Sequence, residues 1–204
     1  PEVKAFLGRA YLHDGDLQRS TKFYREALAD NPNDAQSLLM LADIMMNAGD
    51  FAEAGQLLDR AEKAGMAAST LRFERVALAY LKGETDAALA AIKKLVGEDK
   101  DNVRAWALLA LLTADGSDPA SYAKALEALK GLQGGSPDVR LMLAELYMGQ
   151  KDWTLARAEL EEVVRMNPRL VRVWEMLVNV DFQERKRELA EDHVRVLLTL
   201  DPEN

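Results

Sequence analysis

The chain has no cysteine, only two histidines and few aromatic residues, 6% of its 204 positions. Without cysteine there is no disulfide framework, no thiolate metal site and no cysteine nucleophile, and the redox compartment stays open. The histidines, His13 and His193, provide no His-x-x-x-His or Glu-x-x-His spacing for a metal. No Walker-type glycine loop and no Gly-x-Ser-x-Gly nucleophile elbow is present. No uncharged apolar run reaches the roughly 18 to 20 residues that cross a bilayer, and the opening residues lack the basic, apolar and small segments of a leader peptide. Together these absences predict a soluble, non-enzymatic chain with no cofactor, no metal and no direct membrane insertion. They leave bacterial cytoplasm and periplasm equally open.

What is present points to ordered helix. Hydrophobic residues make up 49% and charged residues 29%, with twelve Gly and six Pro, a balance far from that of a disordered chain. The net charge of -8 argues against nucleic acid as a partner, since phosphate binding calls for a basic stripe. The one dense basic cluster, Arg185-Lys186-Arg187, is followed by Glu188, Glu191 and Asp192 and reads as a solvated turn rather than an anion site. "DGSD" at 115 to 118 has oxygen ligands but lacks the calcium loop and its terminal Glu, and reads as a turn.

Apolar residues recur three and four apart, as in Phe6, Leu7, Ala10, Tyr11 and in Leu38, Leu41, Ala42, Met45, and no alternating β-branched run competes. The fold class is therefore all-α. Breaks come at short intervals: "HDGD", "NPND", "NAGD", "LKGE", "TADGSDP", "GGSPD", "GQKD", "NPRL", "DPEN". Gly15, Gly49 and Gly83 suit the left-handed residue that ends a helix, Asp16 and Asp50 suit caps of the next, and Pro32, Pro168 and Pro202 close second helices. Pro32 and Pro168 lie 136 residues apart, four units of 34, and Pro202 follows 34 later. The pattern is a series of helix hairpins with repeats at 1–34, 35–68, 69–102, 103–136, 137–170 and 171–204.

In the first unit Leu7, Gly8, Tyr11, Ser20, Tyr24, Ala27 and Pro32, and in the second Leu41, Ala42, Met45, Gly49, Ala54, Leu58 and Ala61, fill the signature positions of a known repeat. The chain thus resembles the tetratricopeptide repeat family over essentially its whole length. In the third unit Phe73, Val76, Ala77 and Tyr80 fit with a turn one residue short before Gly83, followed by Ala88, Ile92 and Leu95. The fourth opens with Trp106, Leu109 and Ala110, has a turn about three residues too long, and continues through Ala125, Leu129 and Pro137, with Pro119 behind Asp118 placed to open a capped helix. The fifth uses Leu143, Ala144, Tyr147, Ala156, Leu160, Val163 and Pro168, and the sixth Trp174, Leu177, Val178, Ala190, Val194, Leu197 and Pro202. Lys151 and Arg185 stand where Gly is usual, which predicts tighter or differently shaped turns there. In Val194, Val196, Leu198 and Leu200 the last helix has a broad apolar surface, so the chain is expected to be an excerpt of a longer bacterial array; a dimer partner covering that helix is the alternative.

The resemblance implies a right-handed superhelical α-solenoid, a single array over 1–204, whose first helices line a concave groove for a peptide or protein. Groove residues by this phase are Arg9, Leu12, Asp43, Met46, Asn47, Arg104, Leu111, Glu145, Met148, Arg172, Glu175, Asn179 and Phe182, with His13, Glu74, Leu78 and Leu81 beside them. Ala5 and Arg9 stand where the chaperone-binding subtype has Lys and Asn, and Phe6, Met40, Leu108, Met142 and Met176 replace the asparagine ladder of the glycosyltransferase subtype, so both activities are doubtful. The expected function is a protein-interaction scaffold organising a multiprotein, cell-envelope assembly. The alternatives are a substrate-recruiting arm of an enzyme whose catalytic domain lies elsewhere, and self-association through the terminal helix.

Overall fold

Helix formers interrupted only at capped turns produce twelve α-helices and no strand among the residues that the computed structural model describes, 1–132, 134 and 136–200. They are α1 (Glu2–His13), α2 (Leu17–Asp30), α3 (Ala35–Ala48), α4 (Phe51–Lys63), α5 (Ala68–Leu81), α6 (Thr85–Glu98), α7 (Val103–Thr113), α8 (Pro119–Leu132), α9 (Pro137–Gly149), α10 (Trp153–Met166), α11 (Val171–Gln183) and α12 (Arg187–Leu200). Consecutive helices pair into hairpins, and the fold class is an α-solenoid. The chain divides into two compact units, Pro1–Leu95 and Val96–Asn204. The "DPEN" exit with Pro202, and Gly135 within the "GGSPD" break, lie outside the described residues.

In the first unit each hairpin reverses through the same backbone device. Gly15 takes φ 78°, and the amide of Asp16 donates to the Tyr11 carbonyl at 2.9 Å. Asp16 then caps α2 by accepting from the Arg19 amide at 3.0 Å. Gly49 and Asp50 repeat this between α3 and α4, with Asp50 accepting from the Glu53 amide at 2.9 Å. After α5, Gly83 takes φ 82° and the Glu84 amide donates to the Ala79 carbonyl at 2.9 Å, 34 residues beyond its counterpart at Met45.

The turn before Gly83 is therefore of full length, which corrects the expected phase. Leu71 and Val76 are buried, while Phe73, Ala77 and Tyr80 are only half-buried. The turn fixes the register by hydrogen bonds, and the apolar alignment yields to it. Ala88, Ile92 and Leu95 of α6 are buried as expected. Where the second repeat lacks Pro, α4 ends through Gly65 at φ 97°, and the Met66 amide donates to the Ala61 carbonyl at 3.0 Å.

The second unit contains the long turn. Ala110 and Ala125 are 15 residues apart, against 12 between Ala144 and Ala156, and residues 114–118 take up the difference. Asp115 accepts from the Ser117 amide at 2.9 Å, Gly116 takes φ 83°, and Asp118 accepts from the Ser121 amide at 3.0 Å, so that Pro119 opens α8. Pro137 opens α9 rather than closing α8.

Lys151 and Arg185 do not reshape their turns. Both adopt φ 60°, and the following amides, Asp152 and Lys186, donate to Tyr147 and Asp181 carbonyls at 2.9 Å as in the glycine turns. The left-handed conformation is imposed on residues with a Cβ, at a cost of about 1 kcal/mol each. The Asn-Pro exits share another device. Asn31 and Asn167 are extended at φ -137° and -141°, and their side chains accept from the Asn33 and Arg169 amides at 3.3 Å.

The core follows the repeat. Gly8 is buried under the Tyr24 ring so closely that a Cβ at Gly8 would lie 3.0 Å from it. Ser20, also buried, donates to the Gly8 carbonyl at 2.8 Å and joins α2 to α1. In the second unit Trp174 donates to the Pro168 carbonyl at 2.8 Å, as Trp106 does to that of Lys100, pinning each first helix to the linker before it.

A buried ionic cluster ties α10, α11 and α12 together. The Arg157 guanidinium bonds one oxygen of Asp181, which is 0% exposed, and also Glu184. His193 Nδ1 lies 2.6 Å from the other Asp181 oxygen, with the Trp174 ring beside the imidazole. The bond from Arg157 holds the Glu184 carboxyl below its ordinary value.

Three outcomes follow from this packing and are read by urea unfolding. Gly8→Ala loses about 1–2 kcal/mol, because steric pressure on Tyr24 exceeds the gain in helix propensity. Lys151→Gly gains up to about 1 kcal/mol, whereas Lys151→Ala gains nothing. Arg157→Ala loses about 3–5 kcal/mol by leaving Asp181 buried without its cation. Because the folded-state pKa of Glu184 is depressed, its stabilisation is present above the unfolded value and disappears as pH falls through the folded one. The parent thus loses stability below about pH 4, and Glu184→Gln flattens that dependence.

Candidate functional site

Residues that cap, pair or fill the core are committed to the fold, so binding falls to side chains on the outer faces of the first helices. In the first unit α1 presents Arg9, exposed, with its guanidinium 5.8 Å from the Phe6 ring centre. Leu12 is half-buried and packs with Leu78 against the core cluster. On α3, Asp43 is half-buried and Asn47 exposed. Met46 departs from the expected groove position: it is 7% exposed, within the core cluster, because the interior of this unit needs its flexible side chain as filler. Glu74 is likewise buried, while His13 and Leu81 are exposed.

Residues of α1, α2 and α3 also enclose a cleft of about 370 Å³, lined by Ala5, Phe6, Arg9, Tyr24, Asp34 and Met40 among others. Tyr24 is 2% exposed and its hydroxyl has no hydrogen-bond partner in the protein. Burial pushes the phenol pKa up, Arg9 opposes the shift, and Asp34 and Asp43 reinforce it. Asp34 accepts from the Ser37 hydroxyl at 2.5 Å.

In the second unit Arg172, Glu175, Asn179 and Phe182 recur at helical spacing along one face of α11, and all four are exposed, Phe182 to 63%. Arg172 reaches across to Glu145 of α9 at 2.6 Å, so its charge is engaged within the protein. Met148 is half-buried further along α9. On α7, Arg104 is exposed and Leu111 is 50% exposed, seven residues apart on one face. The structure thus brings Glu145 into contact with Arg172 and aligns the α11 stripe.

Sequence reasoning missed three features. The Arg172–Glu145 pair joins residues 27 apart that belong to adjacent repeats. The Arg157 cluster joins separate helices in the same way. The Tyr24 hydroxyl left a legible sign: its position in the other five repeats holds Leu58, Ile92, Leu129, Leu160 and Val194, all aliphatic. Among the described residues no group of three His, Asp or Glu could hold a metal, and no helix is long and apolar enough to cross a membrane.

Residues 11–72 match the tetratricopeptide repeat, and residues 71–176 match a domain of unknown function, DUF7017. The cellulose synthase 2 operon protein C of Komagataeibacter xylinus is 29% identical over 169 residues, which is 80% of this chain but only 12% of the relative's length. Among solved structures, a thermophilic TPR protein of Thermus thermophilus superposes with a TM-score of 0.73 at 18% identity, covering 88% of this chain and 97% of its own. PilW, a widely conserved type IV pilus biogenesis factor, gives 0.67 at 15% identity, covering 100% and 94%. These structural likenesses show the fold, and a fold of this kind suggests protein–protein interaction. The chain belongs to the tetratricopeptide repeat family and, through residues 71–176, to the DUF7017 family.

Proposed function

We propose that the six repeats act as a non-enzymatic scaffold whose first-helix faces bind an extended segment of a protein partner within a multiprotein assembly. The observation that carries this reading is the α11 stripe, where Phe182 stands exposed beyond Arg172, Glu175 and Asn179. A large exposed aromatic beside hydrogen-bonding side chains is the composition of a binding anchor with a polar rim. Leu111 on α7 supplies a second apolar anchor. The likeness to a cellulose synthase operon protein supports an assembly that serves polysaccharide production at the cell envelope.

A second reading is favoured by the greater length of that relative, of which this chain spans 12%. In it, these repeats recruit substrate for a catalytic domain elsewhere in a longer polypeptide. Both readings use the same faces and differ in what the bound segment is delivered to.

The test compares the parent with a Leu111→Glu, Phe182→Ala variant of matched unfolding midpoint in affinity capture followed by mass spectrometry. A partner retained by the parent and depleted at least tenfold on the variant is expected, since losing a buried aromatic anchor costs about 2 kcal/mol or more. Equal recovery from both rules out these faces as the binding surface.

A further inference from the structure

Tyr24 costs the first repeat something that its counterparts avoid. Five repeats fill this position with an aliphatic side chain, whereas here a phenol hydroxyl is buried without a partner. A buried donor left unsatisfied is destabilising, and such groups call for an explanation. The fit is also costly on the other side. Gly8 is the one glycine at its position, where the other repeats have Ala42, Val76, Ala110, Ala144 and Val178, and its lack of a Cβ is what admits the ring. Two departures from the repeat, in contact with each other, thus place one hydroxyl beside the cleft between α1 and α3.

The side chains around that cleft define what fits it. Arg9 supplies donors and Asp34 supplies acceptors, while Phe6, Ala5 and Met40 give apolar walls. An incoming carboxylate would meet Asp34, and an incoming ammonium would meet Arg9. A neutral group that both donates and accepts meets no like charge and loses little on leaving water.

We propose that this cleft is a subsite for a primary amide, the Asn or Gln side chain of an extended partner segment, whose carbonyl accepts from the Tyr24 hydroxyl and whose NH₂ donates toward Asp34. The assignment rests on the scaffold reading and adds to it a side-chain specificity for the first repeat. Phe6 is 61% exposed and Arg9 is exposed as well, so rotation of these rim side chains admits the amide to a hydroxyl that water does not reach in the free protein.

The experiment uses the intact chain and three isosteric probes, isobutyramide, isobutyrate and isobutylamine, in amide-detected NMR titrations. Isobutyramide is expected to shift Gly8, Arg9 and Ser37 saturably, with the acid and the amine about tenfold weaker. In Tyr24→Phe the amide response falls about tenfold while the unfolding midpoint stays level or rises, because the buried hydroxyl had no partner in the free protein. The proposal is overturned by the absence of a response at these residues, by an equal response to acid or amine, or by full binding to the variant. Failure here with a partner still captured through Leu111 and Phe182 removes only this subsite; failure of that capture removes the scaffold reading itself.

Discussion

One backbone hydrogen bond recurs in five of the six hairpins, and the rest of each repeat depends on it. An amide just past the first helix donates to a carbonyl five residues earlier: Asp16 to Tyr11, Asp50 to Met45, Glu84 to Ala79, Asp152 to Tyr147 and Lys186 to Asp181. The bond requires one left-handed residue, which fixes where the chain reverses. The reversal sets the register of the second helix against the first, and the register decides which residues become core. Only the hairpin of α7 and α8 departs from this, with a longer turn held by side-chain oxygens of Asp115 and Asp118.

Much of this was legible as letters. Glycine followed by aspartate marked turn and cap at Gly15 and Gly49, and Asn-Pro marked both extended exits, because each pairing has a local physical cause. The long turn showed in a displaced apolar pattern. The third repeat misled because Phe73, Ala77 and Tyr80 form an apolar stripe that rivals the true one, and periodicity alone does not choose between stripes one residue apart. Lys151 and Arg185 misled for the opposite reason. Letters alone hide how much strain a cooperative turn will force on an ordinary residue.

The binding faces were less legible than the fold, because neighbouring repeats decide them. Met46 looked available on its own helix and is buried by its surroundings. Arg172 looked like a cation offered to a ligand and is held by Glu145 of the preceding repeat. What the sequence did carry was departure from its own repeat. Tyr24 and Gly8 break the pattern together, and a paired exception is harder to attribute to packing than a single one.

The Arg157 cluster changes how the final helices can come apart. In an array where each hairpin touches only its neighbours, the ends tend to unzip one repeat at a time. Asp181, fully enclosed on α11, divides its two oxygens between Arg157 of α10 and His193 of α12. Detaching α12 therefore leaves a carboxylate half-satisfied in the interior and weakens the grip of α11 on α10 in the same event. The three helices are consequently bound into one cooperative block, a stop against fraying written into a fold that otherwise melts by the unit.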